Sequence, residues 1–174
     1  MEKLNEQRTS ENIVSAMDLA IEAHAGQVDK IGRSYLFHLT QVAGMTRTDE
    51  EFIVAWLHDY IEDSSFSREE CIDTLREKFS REIVEAIIAL THAPDEPREQ
   101  YIERVSKNRL ASRIKYYDIR SNCDIIRLKK LPLLLAQKLV KKYDADVKQL
   151  VALGVLNSKQ TEFMAKTKKV FLEG

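Results

Sequence analysis

The chain has 174 residues, 44% of them hydrophobic and 32% charged, with a formal net charge of −1. That size fits one domain with a core of its own, and that composition excludes extended disorder. A near-neutral balance leaves no global basic field to gather nucleic acid or anionic membrane. The two cysteines, Cys71 and Cys123, read as free thiols of a reducing compartment. The opening MEKLNEQRTSEN is polar and has no signal-peptide core. The longest apolar run, Leu131 to Ala136 with Pro132 inside it, is far short of a membrane span. The expected location is the cytoplasm.

Only five glycines and three prolines occur, and apolar residues recur at three- and four-residue intervals, the helical period. Ile13, Met17, Ala20, Ile21 and His24 form a first stripe, which Gly26 ends. A loop carrying Gly32 follows, and a helix beginning near His38 turns Leu39, Val42 and Ala43 inward. Phe52, Ile53, Trp56, Leu57, Tyr60 and Ile61 predict one continuous third helix. Ser67 and Glu70 form a capping box ahead of Cys71, Ile72 and Leu75. Ser80 is the N-cap of a helix burying Ile83, Val84, Ile87 and Ile88. Residues 93–97 are a loop. Tyr101, Ile102 and Val105 mark a short helix, and Leu110, Ile114 and Tyr117 begin another that ends near Asn122. Pro132 opens a long helix over 133–153 closed by Gly154, and a last one covers 162–172. The expectation is an all-α fold, a single compact multi-helix bundle over 1–174. Its motif core spans about 10–128 and its C-terminal helical extension about 129–174.

The string from Leu57 to Asp63 carries most of the chemistry. His58, Asp59, Glu62 and Asp63 fall within six residues at the end of a core-like segment. On a helix His58 and Glu62 share a face, as do Asp59 and Asp63. Three carboxylates and an imidazole gathered there would be explained by a divalent cation. One helix cannot complete the shell, and His24, His38, His92 and Asp118 are the candidates elsewhere. Mixed imidazole and carboxylate donors suit Mn²⁺, Fe²⁺ or a similar ion better than a structural zinc site. Taken alone, His24 reads as a core histidine, His92 as an exposed one, and the C-terminal lysines as the solvated face of amphipathic helices. Those helices would brace the domain or form a homodimer contact.

Together these residues resemble a known family. His38, the His58-Asp59 pair and Asp118 match the H…HD…D signature of the HD-domain metal-dependent phosphohydrolases. His24, Gly26, Gln27, Lys30, Gly32, Tyr35 and His38 look like the opening motif of the RelA/SpoT-type (p)ppGpp hydrolase domains, in the small stand-alone bacterial form. His58-Asp59 with Glu62-Asp63 matches their HDxxED motif, and Lys115, Asp118 and Asn122 their KxxDxxxN motif.

The resemblance implies metal ligation by His38, His58, Asp59 and Asp118. Mn²⁺ is the expected ion, with Fe²⁺, Mg²⁺ and Zn²⁺ as alternatives. It implies Glu62 and Asp63 as catalytic residues acting on a water. Lys30, Arg33, Lys115 and Arg120 would hold phosphate charge, Asn122 the ribose, and Tyr35 would lie near the base. The implied reaction is removal of the 3′-pyrophosphate of guanosine-3′,5′-bis(diphosphate). The implied partner is this small nucleotide, with no nucleic acid and no membrane. Asp29 stands where these hydrolases usually carry a basic residue, and a carboxylate there is expected to weaken diphosphate binding. Hydrolysis of another nucleotide or phosphoester is the alternative, as is a non-catalytic metal- or nucleotide-binding sensor.

Overall fold

Helices dominate because the apolar residues repeat at helical spacing and the segments carry their own start signals. The computed structural model describes residues 2–173, with side chains from residue 10 onward. Among the described residues there are eleven helices and no strand, only an isolated bridge between Val28 and Ser34. They are α1 (Glu2–Ala23), α2 (Leu36–Ala43), α3 (Asp49–Leu57), α4 (Tyr60–Asp63), α5 (Arg68–Lys78), α6 (Arg81–Leu90), α7 (Arg98–Ser106), α8 (Arg109–Asn122), α9 (Ile125–Leu128), α10 (Leu133–Ala152) and α11 (Ser158–Phe171).

Local chemistry sets the boundaries. The Thr48 hydroxyl caps α3 by accepting from the Glu51 amide, and Asp49, Glu50 and Glu51 complement the positive end of the helix. The capping box of Ser67 and Glu70 is formed in both directions. Ser80 stands at the N-cap of α6 but its side chain makes no capping bond. Asn108 caps α8 through the Ala111 amide. Gly154 ends the α10 turn at φ +75°, a conformation that costs other residues about 1–2 kcal/mol.

The core is built around α3, which packs against α1, α2, α6 and α8. Ile53, Val54, Ala55 and Leu57 of α3 are buried together with Leu39 and Val42 of α2, Ile87 of α6 and Ile114 and Ile119 of α8. Helix α10 closes the bundle by packing on α7 and α11. This is the bracing role expected of the C-terminal segment.

Three expectations need correction. The third helix is not continuous: α3 stops at Leu57, Asp59 takes φ −106°, ψ 2°, and α4 restarts at Tyr60. That sparsely populated backbone region is common at sites where side chains must be re-aimed. Ile21, assigned to the inward stripe, is 44% exposed, while Ala16 and Ala20 carry the buried face of α1. The short α9 was missed, because four residues are too few to display a period.

Candidate metal centre

The break between α3 and α4 aims His58 and Asp59 into a cleft of about 350 Å³ that α8 borders on another side. His38 enters from α2 and Asp118 from α8, and both are buried, as is His58. One donor atom from each of His38, His58 and Asp118 lies within 4.8 Å of the other two. The two Nε2 atoms are 3.3 Å apart. His38 Nε2 lies 3.3 Å from Asp118 Oδ1. Asp59 stands at the rim: its Oδ2 is 2.9 Å from His58 Nε2 and 3.9 Å from His38 Nε2.

The surrounding bonds decide which nitrogens face the centre. His58 Nδ1 lies 2.8 Å from the Ala55 carbonyl, which only accepts, so Nδ1 carries the proton. His38 Nδ1 lies 3.0 Å from the Ser121 hydroxyl, which spends its own proton on Gln41 Oε1. When both rings are neutral, each therefore turns its Nε2 lone pair toward the other. That arrangement calls for a cation, either a proton on one Nε2 or a metal between them, and with Asp59 and Asp118 alongside the donor set fits a divalent metal. Partners behind histidine ligands are what fix the orientation of such rings.

Without a metal, a proton on His58 takes the place of that cation. Burial alone would lower the His58 pKa, but the Asp59 and Asp118 carboxylates overcome it and push it up to about 9. Burial would raise Asp118; Lys115, His38 and His58 outweigh that and hold it well below the usual carboxylate range. Asp59 is likewise held down, chiefly by His58 against the effect of burial. Lys115 donates to Asp118 Oδ2 at 2.7 Å, and Asn122 Nδ2 donates to Asp118 Oδ1 at 2.5 Å. The Tyr35 hydroxyl donates to Asp59 Oδ2 at 2.5 Å; burial first, then that carboxylate, raise its pKa, so it remains a donor.

The remaining expected residues divide. Glu62 lines the cleft, and its Oε1 accepts from the His92 amide at 2.5 Å. Burial of its carboxylate lifts its pKa, although much of the residue is exposed. Asp63 faces the other way, accepting from Gln27 Nε2 at 3.0 Å and lying 3.6 Å from His24 Nδ1. Lys30 and Lys115 line the cleft. Arg33 does not: its guanidinium is bound to Asp29 Oδ2. Arg120 is on the opposite side of α8, over the rings of Tyr116 and Phe163. Tyr35 and Asn122 hold ligand carboxylates through their polar groups, where sequence placed them at base and ribose.

Asp29 is neutralised rather than intrusive. It is buried, accepts from the amides of Ile31 and Arg33 and from the Arg33 guanidinium, and lies 3.6 Å from Arg127 Nε. Burial pushes its pKa up, but these bonds prevail and hold it low. His92, read as exposed, is half-buried and lines the cleft. Sequence reasoning also passed over Arg98, Tyr101, Lys142 and Tyr143, which wall the cleft from α7 and α10. The bidentate bond from Arg98 to Asp146 ties these two helices together.

No family model matches the chain. Among solved structures it is similar to a metazoan ortholog of SpoT described as hydrolyzing ppGpp and playing a role in starvation responses. The TM-score is 0.72, the sequence identity 16%, and the match covers 91% of this chain and 94% of that one. The chain shares the all-α fold of that protein. His38, His58 and Asp118 are placed so that they could hold one metal ion. No helix among the described residues is long and apolar enough to cross a membrane.

Proposed function

We propose that the protein is a divalent-metal phosphohydrolase acting on a nucleotide pyrophosphate, with guanosine-3′,5′-bis(diphosphate) as leading substrate and Mn²⁺ as leading ion. The observation that carries the reading is the pair of facing Nε2 atoms, 3.3 Å apart beside Asp118, in a cleft that Glu62 shares with Lys30, Arg98, Lys115 and Lys142. His38, His58 and Asp118 would hold the ion, with Asp59 completing the shell from the rim. An ion bound there supplies Lewis acidity to a phosphoryl oxygen and makes a water more acidic.

The chain's own groups do the rest. Glu62, with its raised pKa, accepts the proton of the attacking water. Lys30, Arg98 and Lys142 balance the phosphate charge that builds up on the leaving side. Asp63 has a positioning role, holding Gln27 beside the cleft. The similar fold of a ppGpp-hydrolysing protein supports the substrate assignment, as does the neutralisation of Asp29. A reducing, cytoplasmic setting accords with the buried free thiols of Cys71 and Cys123.

The test is to load the protein with Mn²⁺ and follow pyrophosphate and phosphate release across a nucleotide panel. Pyrophosphate release from guanosine-3′,5′-bis(diphosphate) well above the other members supports the full reading. Release from a different nucleotide keeps the hydrolase and replaces the substrate. Tight binding without turnover makes the domain a sensor.

A further inference from the structure

Helix α8 has a second functional face. At 3.6 residues per turn, Lys115, Asp118 and Asn122 fall on one side, toward the metal centre. Arg109, Arg113, Tyr116 and Arg120 fall roughly opposite, and there they line a cavity of about 790 Å³. The turn after α10, held by Gly154, forms another wall, and Arg47 and Lys107 complete the lining. Five cations therefore face one concave space, and no carboxylate does.

Two of the five are neutralised from outside the cavity. Arg113 pairs with the buried Glu51, and Lys107 with Glu103 at 2.8 Å. Arg109 and Arg113 also border a smaller neighbouring cavity that holds Glu50, Glu51 and Glu82. Among the described residues no carboxylate lies within ion-pair distance of Arg47, Arg109 or Arg120. Arg120 is instead held over Tyr116 and Phe163, with its guanidinium 5.7 and 5.9 Å from the ring centres. The Tyr116 hydroxyl donates to the Gln160 carbonyl, fixing that ring against α11.

In a chain of net charge −1, three exposed arginines without an ion-pair partner in one concavity make a local positive field suited to an anion. We propose that this cavity is a second ligand site, separate from the metal centre, for a small multiply phosphorylated molecule. Its volume is that of a small-molecule site, and the planar guanidinium is suited to binding phosphate through paired hydrogen bonds. A chain of near-neutral net charge favours a compact ligand over a nucleic acid. Because α8 carries both faces, an occupant here would bear on the helix that presents Asp118. The proposal does not depend on the hydrolase reading.

The test uses inorganic triphosphate as probe, with binding followed by amide chemical-shift mapping and calorimetry, on protein as purified and in chelator. Chelator removes any metal that would carry the anion to the other cleft. Saturable binding is expected in both conditions, with shifts concentrated at 106–113 and 153–156. Arg47→Gln with Arg120→Gln is expected to weaken it at least about tenfold, with an unchanged melting temperature. Lys30→Ala with Lys142→Ala should leave it unchanged. Shifts confined to Lys30, Lys115 and Asn122 would overturn the proposal, as would the absence of saturation at millimolar triphosphate. Stronger binding of single-stranded RNA than of triphosphate at the same residues would also overturn it, by making the surface a nucleic-acid site. The shift mapping needs no variant, so a folding defect in the double variant leaves the test intact.

Discussion

His58 gives its Nδ1 proton to the carbonyl of Ala55, three residues earlier, across 2.8 Å. One backbone bond on the last turn of α3 thus determines that His58 meets His38 and Asp118 with Nε2, the nitrogen left to ligate a metal. The same logic runs through Ser121 to His38. The metal centre is prepared by its supports as much as by its ligands.

Metal binding should accordingly stabilise the fold. At a free Mn²⁺ concentration about one hundred times Kd, the gain is about 2.7 kcal/mol, which raises Tm by about 5–10 °C in a domain of this size. Asp118→Ala and His58→Ala should show no such rise and no bound ion by elemental analysis, and Asp59→Ala should lose ion and turnover together. Ser121→Ala, which frees the His38 ring, is expected to weaken Mn²⁺ affinity by about 10–100-fold. A stoichiometric ion in Asp118→Ala would place the metal elsewhere.

Glu62 offers a separate test, because it should act on the reaction and not on the ion. Glu62→Gln is expected to keep Mn²⁺ and lose about 10²–10⁴ in kcat. A base must be ionised, and burial lifts this carboxyl above its ordinary value of 4.5. The acid limb of the kcat–pH profile should therefore lie above 4.5 and vanish in the variant. A raised carboxylate pKa also means that the folded state disfavours the charge at neutral pH. The variant should melt no lower than the parent there. Loss of the ion in Glu62→Gln would make Glu62 a ligand.

Asp29 changes from an obstacle into a structural anchor. Its carboxylate closes the loop between α1 and α2 through the amides of Ile31 and Arg33 and the Arg33 guanidinium. Asp29→Ala should cost about 1–3 kcal/mol by leaving these partly buried donors without an acceptor. Because the folded pKa is held low, this stability is present at neutral pH and is lost as pH falls through the carboxylate range. Asp29→Arg should lower Tm similarly and bring no gain in turnover. Faster hydrolysis by that variant would restore the view that charge at 29 limits the substrate.

The all-α class was legible because apolar spacing and caps are local signals, and Ser67 with Glu70 needed nothing beyond four residues of sequence. Lys115 and Asn122 could be placed beside Asp118 for the same reason, being three residues before it and four after. Arg120 was misplaced against that very rule, since two residues on a helix turn about 200°. The break at Asp59 was hidden because Leu57, Tyr60 and Ile61 keep the helical spacing across it. Arg98 and Lys142 were out of reach for a different reason: their place in the cleft depends on how α10 docks on α7, a long-range contact.

That docking makes the last prediction. Asp146 is buried and holds Arg98 through two bonds, so it sets where the Arg98 charge meets the cleft. Asp146→Asn should cost about 1–3 kcal/mol, since Arg98 remains partly solvated, and should raise KM more than it lowers kcat. Lys142 lies near Arg98 and Lys115; burial first, then these two cations, press its pKa down. A bound phosphate relieves that repulsion. Lys142→Ala is therefore expected to raise KM for a pyrophosphorylated nucleotide by about tenfold with the metal retained. In the parent protein KM should begin to rise at a pH below 10.5, the ordinary value for lysine, as the ammonium is lost. A KM that is flat across that range and unchanged in Lys142→Ala would remove α10 from substrate binding and leave it as a brace alone.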